Sequence, residues 1–263
     1  MVEPIMSIEI PDPIKKFFIE IQRLEFPRQG WASDVAIVYS KKGTFALKRT
    51  KKEKYNLWLK KEIEVMNELA LHTDLPIPKV FLSHIDDEQV WAVLEYFEGI
   101  TLREALMRTK NKEVRRNLIF EFGATLNRIH SVTCPPALIT PSDWLEAKLN
   151  EAKYNLITYG TEGTLELLDK LIKHRPEPIQ PCLIHGDFTI DNVLVVDQKI
   201  VAIIDWSGGG YGDPRYDVSL SVRQKEGIFD HKNDSVIFYE GYGEKLITEE
   251  EYDYFENGLY NFF

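Results

Sequence analysis

The alternation of apolar and polar positions divides the chain into two textures. Residues 13–24 place Ile14, Phe17, Phe18, Ile21 and Leu24 on one face of a helix. Gly30 interrupts that pattern, and Val35, Ile37 and Tyr39 then alternate with smaller residues, which predicts a strand. Lys41-Lys42-Gly43 reads as a turn and residues 45–48 as the returning strand. Residues 56–71 predict a helix with Leu57, Ile63, Leu69 and Leu71 among its apolar positions. Pro76 and Pro78 end that region. Val80-Phe81-Leu82 and residues 90–95 read as two further strands joined at Asp86-Asp87-Glu88. After Gly99 the spacing becomes helical, over 101–131, over 142–157 with Ser142 as N-cap, and over 162–174. A strand-rich island at 182–205 interrupts the helices. Thr248 and Glu251 then form a capping-box pattern ahead of the last helical run. The whole pattern predicts an α+β chain in two parts, strand-rich over 1–97 and mainly helical over 98–263.

Composition narrows the class. A chain of 263 residues, 44% hydrophobic and 28% charged, is too apolar to be disordered and long enough for one or two domains with cores of their own. Cys134 and Cys182 are the only cysteines; they cannot form a disulfide scaffold, lie in no metal-type pair and fit a reducing compartment. The opening MVEPIMSIEI lacks the basic stretch and apolar core of a signal peptide, and no apolar run approaches the roughly 20 residues of a membrane span. A soluble, cytoplasmic protein is expected, with no membrane association and no obligate protein partner.

Charge is uneven. Against a net −10, residues 1–97 carry 14 basic and 15 acidic side chains, and residues 98–263 carry 18 and 27. Residues 226–263 alone carry 2 and 10. This balance excludes a nucleic-acid partner, which needs clustered Lys and Arg. The acidic stretch is either a solvated surface or one that attracts a cationic ligand.

The most informative segment is His185-Gly186-Asp187-Phe188-Thr189-Ile190-Asp191-Asn192, followed by two very apolar runs, 193–196 and 200–204, around Asp197-Gln198-Lys199. A hairpin there returns the chain toward its start, so Asp205 is expected near Asn192. Two carboxylates and an amide at one sheet end make a hard oxygen-donor set that suits Mg²⁺. The spacing also matches the catalytic template of the protein-kinase fold: a loop Asp, an Asn five residues later, and a metal-binding Asp after a short hairpin.

With HGDFTIDNVLV followed by IIDWSGGGYGDPRYDVS, the chain resembles the aminoglycoside phosphotransferase and choline-kinase-like family, in which His-Gly-Asp stands where protein kinases have His-Arg-Asp. FALK at 45–48, LKKEIEVMNEL at 59–69, LPIPKV at 75–80, LEYFEGITL at 94–102 and DPRYDVSLSVR at 213–223 extend the likeness over nearly the whole chain, closest in pattern to the aminoglycoside 3′-phosphotransferases. The resemblance implies a bilobal, protein-kinase-like fold with a hinge at about 94–98. It implies an ATP-dependent phosphotransferase, with GTP as the alternative donor, that needs Mg²⁺ and acts on a small-molecule hydroxyl. Asp187 would accept or orient the proton of the attacking hydroxyl, and Asn192 and Asp205 would hold Mg²⁺. Lys48 would pair with the nucleotide phosphates and with a helix carboxylate, for which Glu62 aligns and Glu64 is the neighbouring alternative. Gly30-Trp31-Ala32-Ser33 resembles the phosphate-covering loop, with Ser33 toward the phosphates. Glu95 and Phe97 would offer main-chain groups to the base.

The remaining motifs carry quieter readings. His185 and Asp217 are expected to scaffold the loop, Asp217 by accepting backbone N–H groups, and His130 to pack. Gly208-Gly209-Gly210-Tyr211-Gly212 reads as a flexible turn, not a dinucleotide-binding motif. For the acceptor, Arg223 would orient and Glu226, Asp230 and Glu256 would meet amines, which points to a cationic molecule. The chain departs from the 3′-phosphotransferases at Gly208, where they carry arginine, and in ending Tyr260-Asn261-Phe262-Phe263 where they end in acidic residues. The acceptor class therefore widens to other amino-alcohols and sugars. A protein kinase and a catalytically silent nucleotide-binding protein are the alternative classes; the first wants an Ala-Pro-Glu segment that is missing, the second the loss of Lys48, Asp187 or Asp205, all present.

Overall fold

A computed structural model describes residues 4–27, 30, 32–140, 142–226, 228–229 and 232–263. The chain divides into two units, Met1–Gly99 with Val201–Gly208, and Ile100–Ile200 with Gly209–Phe263. Val201–Gly208, which the sequence texture grouped with the helical part, thus belongs to the first unit and brings Asp205 with it.

The first unit contains α1 (Asp12–Phe18), β1 (Ile21–Glu25), β2 (Asp34–Ser40), β3 (Gly43–Thr50), α2 (Glu53–His72), β4 (Val80–Ile85) and β5 (Val90–Glu95). Its strands form one sheet in the order β1-β2-β3-β5-β4, each neighbouring pair antiparallel. The helix expected over 13–24 stops at Phe18. Ile19 turns the chain with φ 65°, and Ile21 and Leu24 continue as β1. All five apolar residues of that stretch still pack on one cluster, with Ala36, Val38, Phe45, Leu47, Trp91 and Val93. A helix and a strand sharing one core had produced an apparent single helical period.

Strand and helix faces need similar correction. In β2 the smaller Ala36 and Val38 are fully buried, while Val35, Ile37 and Tyr39 are half-buried. In α2 the buried stripe is Leu59, Glu62, Val65, Met66 and Leu69, at helical i+3/i+4 spacing. Leu57 and Leu71 are exposed, so only Leu69 of the expected apolar set that includes them lies on the stripe. The alternation of β3 sends Phe45, Leu47 and Arg49 to one face and Lys48 to the other. Arg49 is wholly buried and answered by Asp34, at 2.7 Å from Nε, and by Glu9, at 2.9 Å.

The second unit begins with β6 (Ile100–Thr101), α3 (Leu102–Arg108), α4 (Lys112–Ser131), α5 (Trp144–Thr158), α6 (Leu165–Lys173), β7 (Cys182–Ile184) and β8 (Val193–Val196). The chain crosses between units within β9 (Lys199–Ile203). It then adds β10 (Gly210–Gly212), α7 (Pro214–Ser221), α8 (Lys232–Tyr242) and α9 (Glu249–Phe255). The helix expected over 101–131 is two helices, because Asn111 caps a fresh start by accepting the N–H groups of Glu113 and Val114. Asp143, not Ser142, caps α5. The Thr248–Glu251 capping box forms as expected. Asp197 and Gln198 both take positive φ, 47° and 65°, the geometry of a two-residue hairpin turn.

The glycine run is not a flexible turn. Gly210–Gly212 pairs antiparallel with β7, and a Cβ on Gly212 would lie 2.5 Å from Ile184. Two other glycines let α4 and α8 approach backbone to backbone: a Cβ at Gly123 would sit 2.1 Å from the Phe238 carbonyl oxygen, and one at Gly241 2.0 Å from that of Phe120. The remaining helices close on a core that includes Leu149, Leu168, Tyr216, Phe255, Leu259 and Phe262. Among the described residues, no helix is long and apolar enough to cross a membrane.

Candidate active site

In the first unit, the site candidates converge on Lys48. It lies mid-strand in β3, opposite Ala92 of β5, on the face toward α2. Its ammonium donates to Glu62 Oε2 at 2.7 Å and to Asp205 Oδ1. Glu62 sits on the buried stripe of α2 with its side chain 4% exposed, whereas Glu64 is 55% exposed and pairs with Lys61. The helix period therefore selects Glu62 of the two. Asp205 reaches Lys48 because its segment is fastened locally. The Ile203 N–H donates to the Pro76 carbonyl at 2.8 Å, the wholly buried Trp206 donates Nε1–H to the Ile203 carbonyl at 2.9 Å, and α2 packs on Trp206–Gly208. Asp205 itself takes φ 64°.

Burial alone would lower the pKa of Lys48, but the Asp205 and Glu62 carboxylates more than offset it and hold the ammonium above its ordinary range. Burial pushes Glu62 up, against the pull of Lys48. The arrangement keeps a charged ammonium in a nearly dry place. The Asp205 side chain remains 45% exposed, and only its Oδ1 is used by Lys48.

In the second unit, β7 delivers the loop that starts at His185. Asp217, fully buried on α7, accepts the backbone N–H of His185 at 2.6 Å and of Gly186 at 2.7 Å, the scaffold role expected of it. His185 is buried, its Nδ1 accepting the Asp187 N–H at 3.1 Å. His130 packs between Tyr242 and Asp217. Phe188 stacks on Phe122 with ring centroids 4.8 Å apart, and Ser221 donates to the Phe188 carbonyl at 3.1 Å. The loop backbone is therefore held at both ends and through its middle.

Asp187 is half-buried at the loop's centre. Asn192 donates Nδ2 to Asp187 twice, to the backbone oxygen and to Oδ2, both at 2.8 Å. The amide nitrogen is thus spent on Asp187, and the amide oxygen is its remaining donor atom. Asp191, one residue before, is clamped by Arg103 through both oxygens and by Lys225 at 2.8 Å. Burial would raise the Asp191 pKa, but these two cations bring it down to about 2.

The acceptor candidates are arranged differently from the expectation. Arg223 binds Glu256 bidentately, with Nη2–Oε2 at 2.7 Å, so Glu256 meets an arginine and not an open amine site. The Arg223 guanidinium also lies 4.3 Å from the ring centre of Tyr260. Glu226 is exposed on a turn; Asp230 lies outside the described residues. Other carboxylates of the acidic stretch are likewise paired: Asp234 with Arg115 at 2.7 Å, Glu240 with Arg116 at 2.6 Å and Glu251 with Arg215 at 2.5 Å. Four of the ten carboxylates counted over residues 226–263 therefore face arginines.

Of the other first-unit candidates, Ser33 is half-buried just before β2, and Trp31 lies outside the described residues. A Cβ on Gly30 would meet nothing within 4 Å. Glu95 ends β5, its N–H on the Lys79 carbonyl at 2.8 Å, and Phe97 follows, half-buried.

Sequence reasoning missed Tyr260, whose hydroxyl donates to Asp187 Oδ1 at 3.1 Å, and the Arg103–Asp191–Lys225 clamp. Tyr260 had registered only as part of a departure from an acidic terminus, and no spacing ties it to Asp187.

An aminoglycoside 3′-phosphotransferase of Streptomyces fradiae is 28% identical over 171 residues, covering 58% of this chain and 59% of that protein. The mouse protein named acyl-CoA dehydrogenase family member 10 is 26% identical over 176 residues. That match covers 62% of this chain but 16% of the mouse protein. An Arabidopsis thaliana protein named probable acyl-CoA dehydrogenase IBR3 is matched over 22% of its length. The chain thus spans a small part of these two longer relatives. Among solved structures, an aminoglycoside-3′-phosphotransferase of type VIII superposes with TM-score 0.74 at 21% identity, over 91% of this chain and 94% of that one. A spectinomycin phosphotransferase bound to ADP and spectinomycin superposes with TM-score 0.67 at 16% identity, over 96% and 84%. These likenesses show a kinase-like α+β fold. The model of the phosphotransferase enzyme family, APH, matches residues 23–252, and the chain belongs to that family.

Proposed function

We propose that this protein transfers the γ-phosphoryl group of ATP to a hydroxyl of a small molecule. The observation that carries the reading is Asp187: a half-buried carboxylate on a fastened loop, fixed by Asn192 and open enough to receive a proton. In the reaction the acceptor oxygen bonds to the γ-phosphorus as the bond from that phosphorus to the β,γ-bridging oxygen breaks. ADP leaves, and the hydroxyl proton passes to the Asp187 carboxylate. The transition state is loose, so the proton leaves late and a weakly basic carboxylate suffices. Positioning is then the protein's main contribution.

Lys48 is the cation assigned to the α- and β-phosphates, held in place by Glu62. Ser33 is assigned to the phosphates, and the main chain of Glu95 and Phe97 to the base. The amide oxygen of Asn192 and the carboxylate of Asp205 are each hard donors of the kind Mg²⁺ takes alongside substrate phosphates, so each residue type fits that ion. Bound there, Mg²⁺ would offset the charge of the transferring group.

The acceptor is a hydroxylated small molecule. Relatives and fold neighbours named for aminoglycosides and spectinomycin make aminoglycosides and amino-alcohols the first compounds to test. Four carboxylates of the acidic stretch, Asp234, Glu240, Glu251 and Glu256, face arginines, which weakens the case for a polycationic acceptor there. The test is ADP release from Mg-ATP over a panel of aminoglycosides, choline-like amines and sugars, with mass spectrometry of the acceptor. One phosphoryl group gained by a panel member is the expected result. Nucleotide binding with no transfer to any acceptor or to water would favour the silent alternative.

A further inference from the structure

Asp187 has a second holder besides Asn192. The Tyr260 hydroxyl donates to Oδ1 at 3.1 Å while Asn192 donates to Oδ2 at 2.8 Å, so both carboxylate oxygens accept a directed donor. Two donors on opposite oxygens fix the rotation of the carboxylate plane, which a single donor would leave loose.

Tyr260 is placed with unusual support for a residue of a short turn. Its neighbours Leu259 and Phe262 are wholly buried. The Phe262 carbonyl accepts Asn155 Nδ2 at 3.0 Å, and the Asn261 carbonyl accepts the Gly163 N–H at 3.0 Å. The ring lies against Arg223, 4.3 Å from its guanidinium, and the Tyr216 ring is 6.3 Å away. Arg223 is itself locked by Glu256. A chain of contacts therefore runs Glu256–Arg223–Tyr260–Asp187, joining three separate stretches of the sequence.

We propose that Tyr260 is a positioning residue for Asp187, aligning its carboxylate for the incoming hydroxyl, and that Arg223 with Glu256 sets Tyr260 and not a substrate amine. This rests on the phosphotransfer reading above. Phenylalanine would keep the apolar contacts of the ring and remove the hydroxyl, with its donation to Asp187 and its contact with Arg223, so Tyr260→Phe isolates the hydroxyl and the Asp187→Asn background isolates the part that runs through the carboxylate.

The experiment compares wild type, Tyr260→Phe, Asp187→Asn and the double variant. Rates are read as phosphate release from Mg-ATP, with water as acceptor, and as ADP release with kanamycin. Tyr260→Phe is expected to lower kcat about tenfold, the effect of one hydrogen bond to a charged group. The KM for Mg-ATP should stay within about twofold and the melting temperature nearly unchanged. In the Asp187→Asn background the same substitution should do nothing further, because its effect runs through that carboxylate. An unchanged or faster Tyr260→Phe enzyme overturns the proposal, the faster outcome meaning that the hydroxyl blocks the acceptor's place. An equal loss in both backgrounds overturns it too, as a structural effect. Wild type that yields no product with water, kanamycin or any other member of the acceptor panel overturns the phosphotransfer reading itself, a result distinct from the others.

Discussion

The two units hold their central charged groups in opposite ways. Lys48 in the first unit is enclosed by full charges, Glu62 and Asp205, in a place where its side chain is 11% exposed. Asp187 in the second accepts an amide N–H from Asn192 and a phenol O–H from Tyr260, and two cations of the same unit, Arg103 and Lys225, bind Asp191 four residues on. The difference suits the roles proposed above for the two groups. An ammonium that must stay charged while nearly dry needs opposite charges in contact. Neutral donors such as these orient a carboxylate without the direct charge of a contacting cation, which would lower its affinity for a proton.

The sharpest way to break the contrast is at Asp187 itself. Asp187→Asn keeps the shape and removes the proton acceptor; kcat should fall about 10²–10⁴-fold while Mg-ATP affinity stays within about twofold. Rate assays beside calorimetric nucleotide titrations check it, and parallel losses in both would erase the division of labour between the units.

Lys48→Met attacks the other side. It strands the buried Glu62 carboxylate, and the expected loss is about 3–5 kcal/mol in a urea titration, with weakened nucleotide binding. Lys48→Met with Glu62→Leu should recover most of the stability and none of the binding, because two matched apolar groups remove the stranded charge. Asp187→Asn should show no comparable destabilisation.

A smaller effect is expected at the loop scaffold. Asp217→Ala leaves the His185 and Gly186 N–H groups without their shared acceptor, at about 1–3 kcal/mol for each buried group. Faster amide exchange at these two positions, with kcat reduced and nucleotide affinity kept, is the expected signature.

The smallest effect concerns Cys182. Burial above all, then the Asp217 and Asp213 carboxylates, pushes its thiol from an ordinary 9.0 up to about 12. The folded state therefore holds this proton more tightly than the unfolded one. That contribution to stability is complete below about pH 9 and is lost as pH rises from there toward 12. Native Cys182 should resist thiol reagents at pH 8 and react promptly in urea; prompt native labelling would contradict it.

Much of the candidate site was legible because it is local. The run His185 to Asn192 and the turn at Asp197-Gln198 lie within about fifteen residues, where spacing alone encodes proximity. Lys48 was legible as a lysine within a strand, and Thr248 with Glu251 as a cap, both local signals. Faces were less legible. The stripe of α2 runs through Glu62, so a search for apolar residues alone settled on Leu57 and Leu71, which face solvent.

The order and type of elements, the loop carrying Asp187 and Asn192, and the two textures of the chain were determined by the sequence itself, through periods, caps and turns that act over a few residues. Tertiary structure alone decided that residues 13–18 and 21–25 are helix and strand on one core, and that Val201–Gly208 joins the first unit. It alone decided that Glu256 meets Arg223 and that Tyr260 meets Asp187, 73 residues away. Such contacts come from packing of distant segments, where burial of Leu259, Phe262 and Trp206 sets the approach and the polar groups take the partners that packing brings.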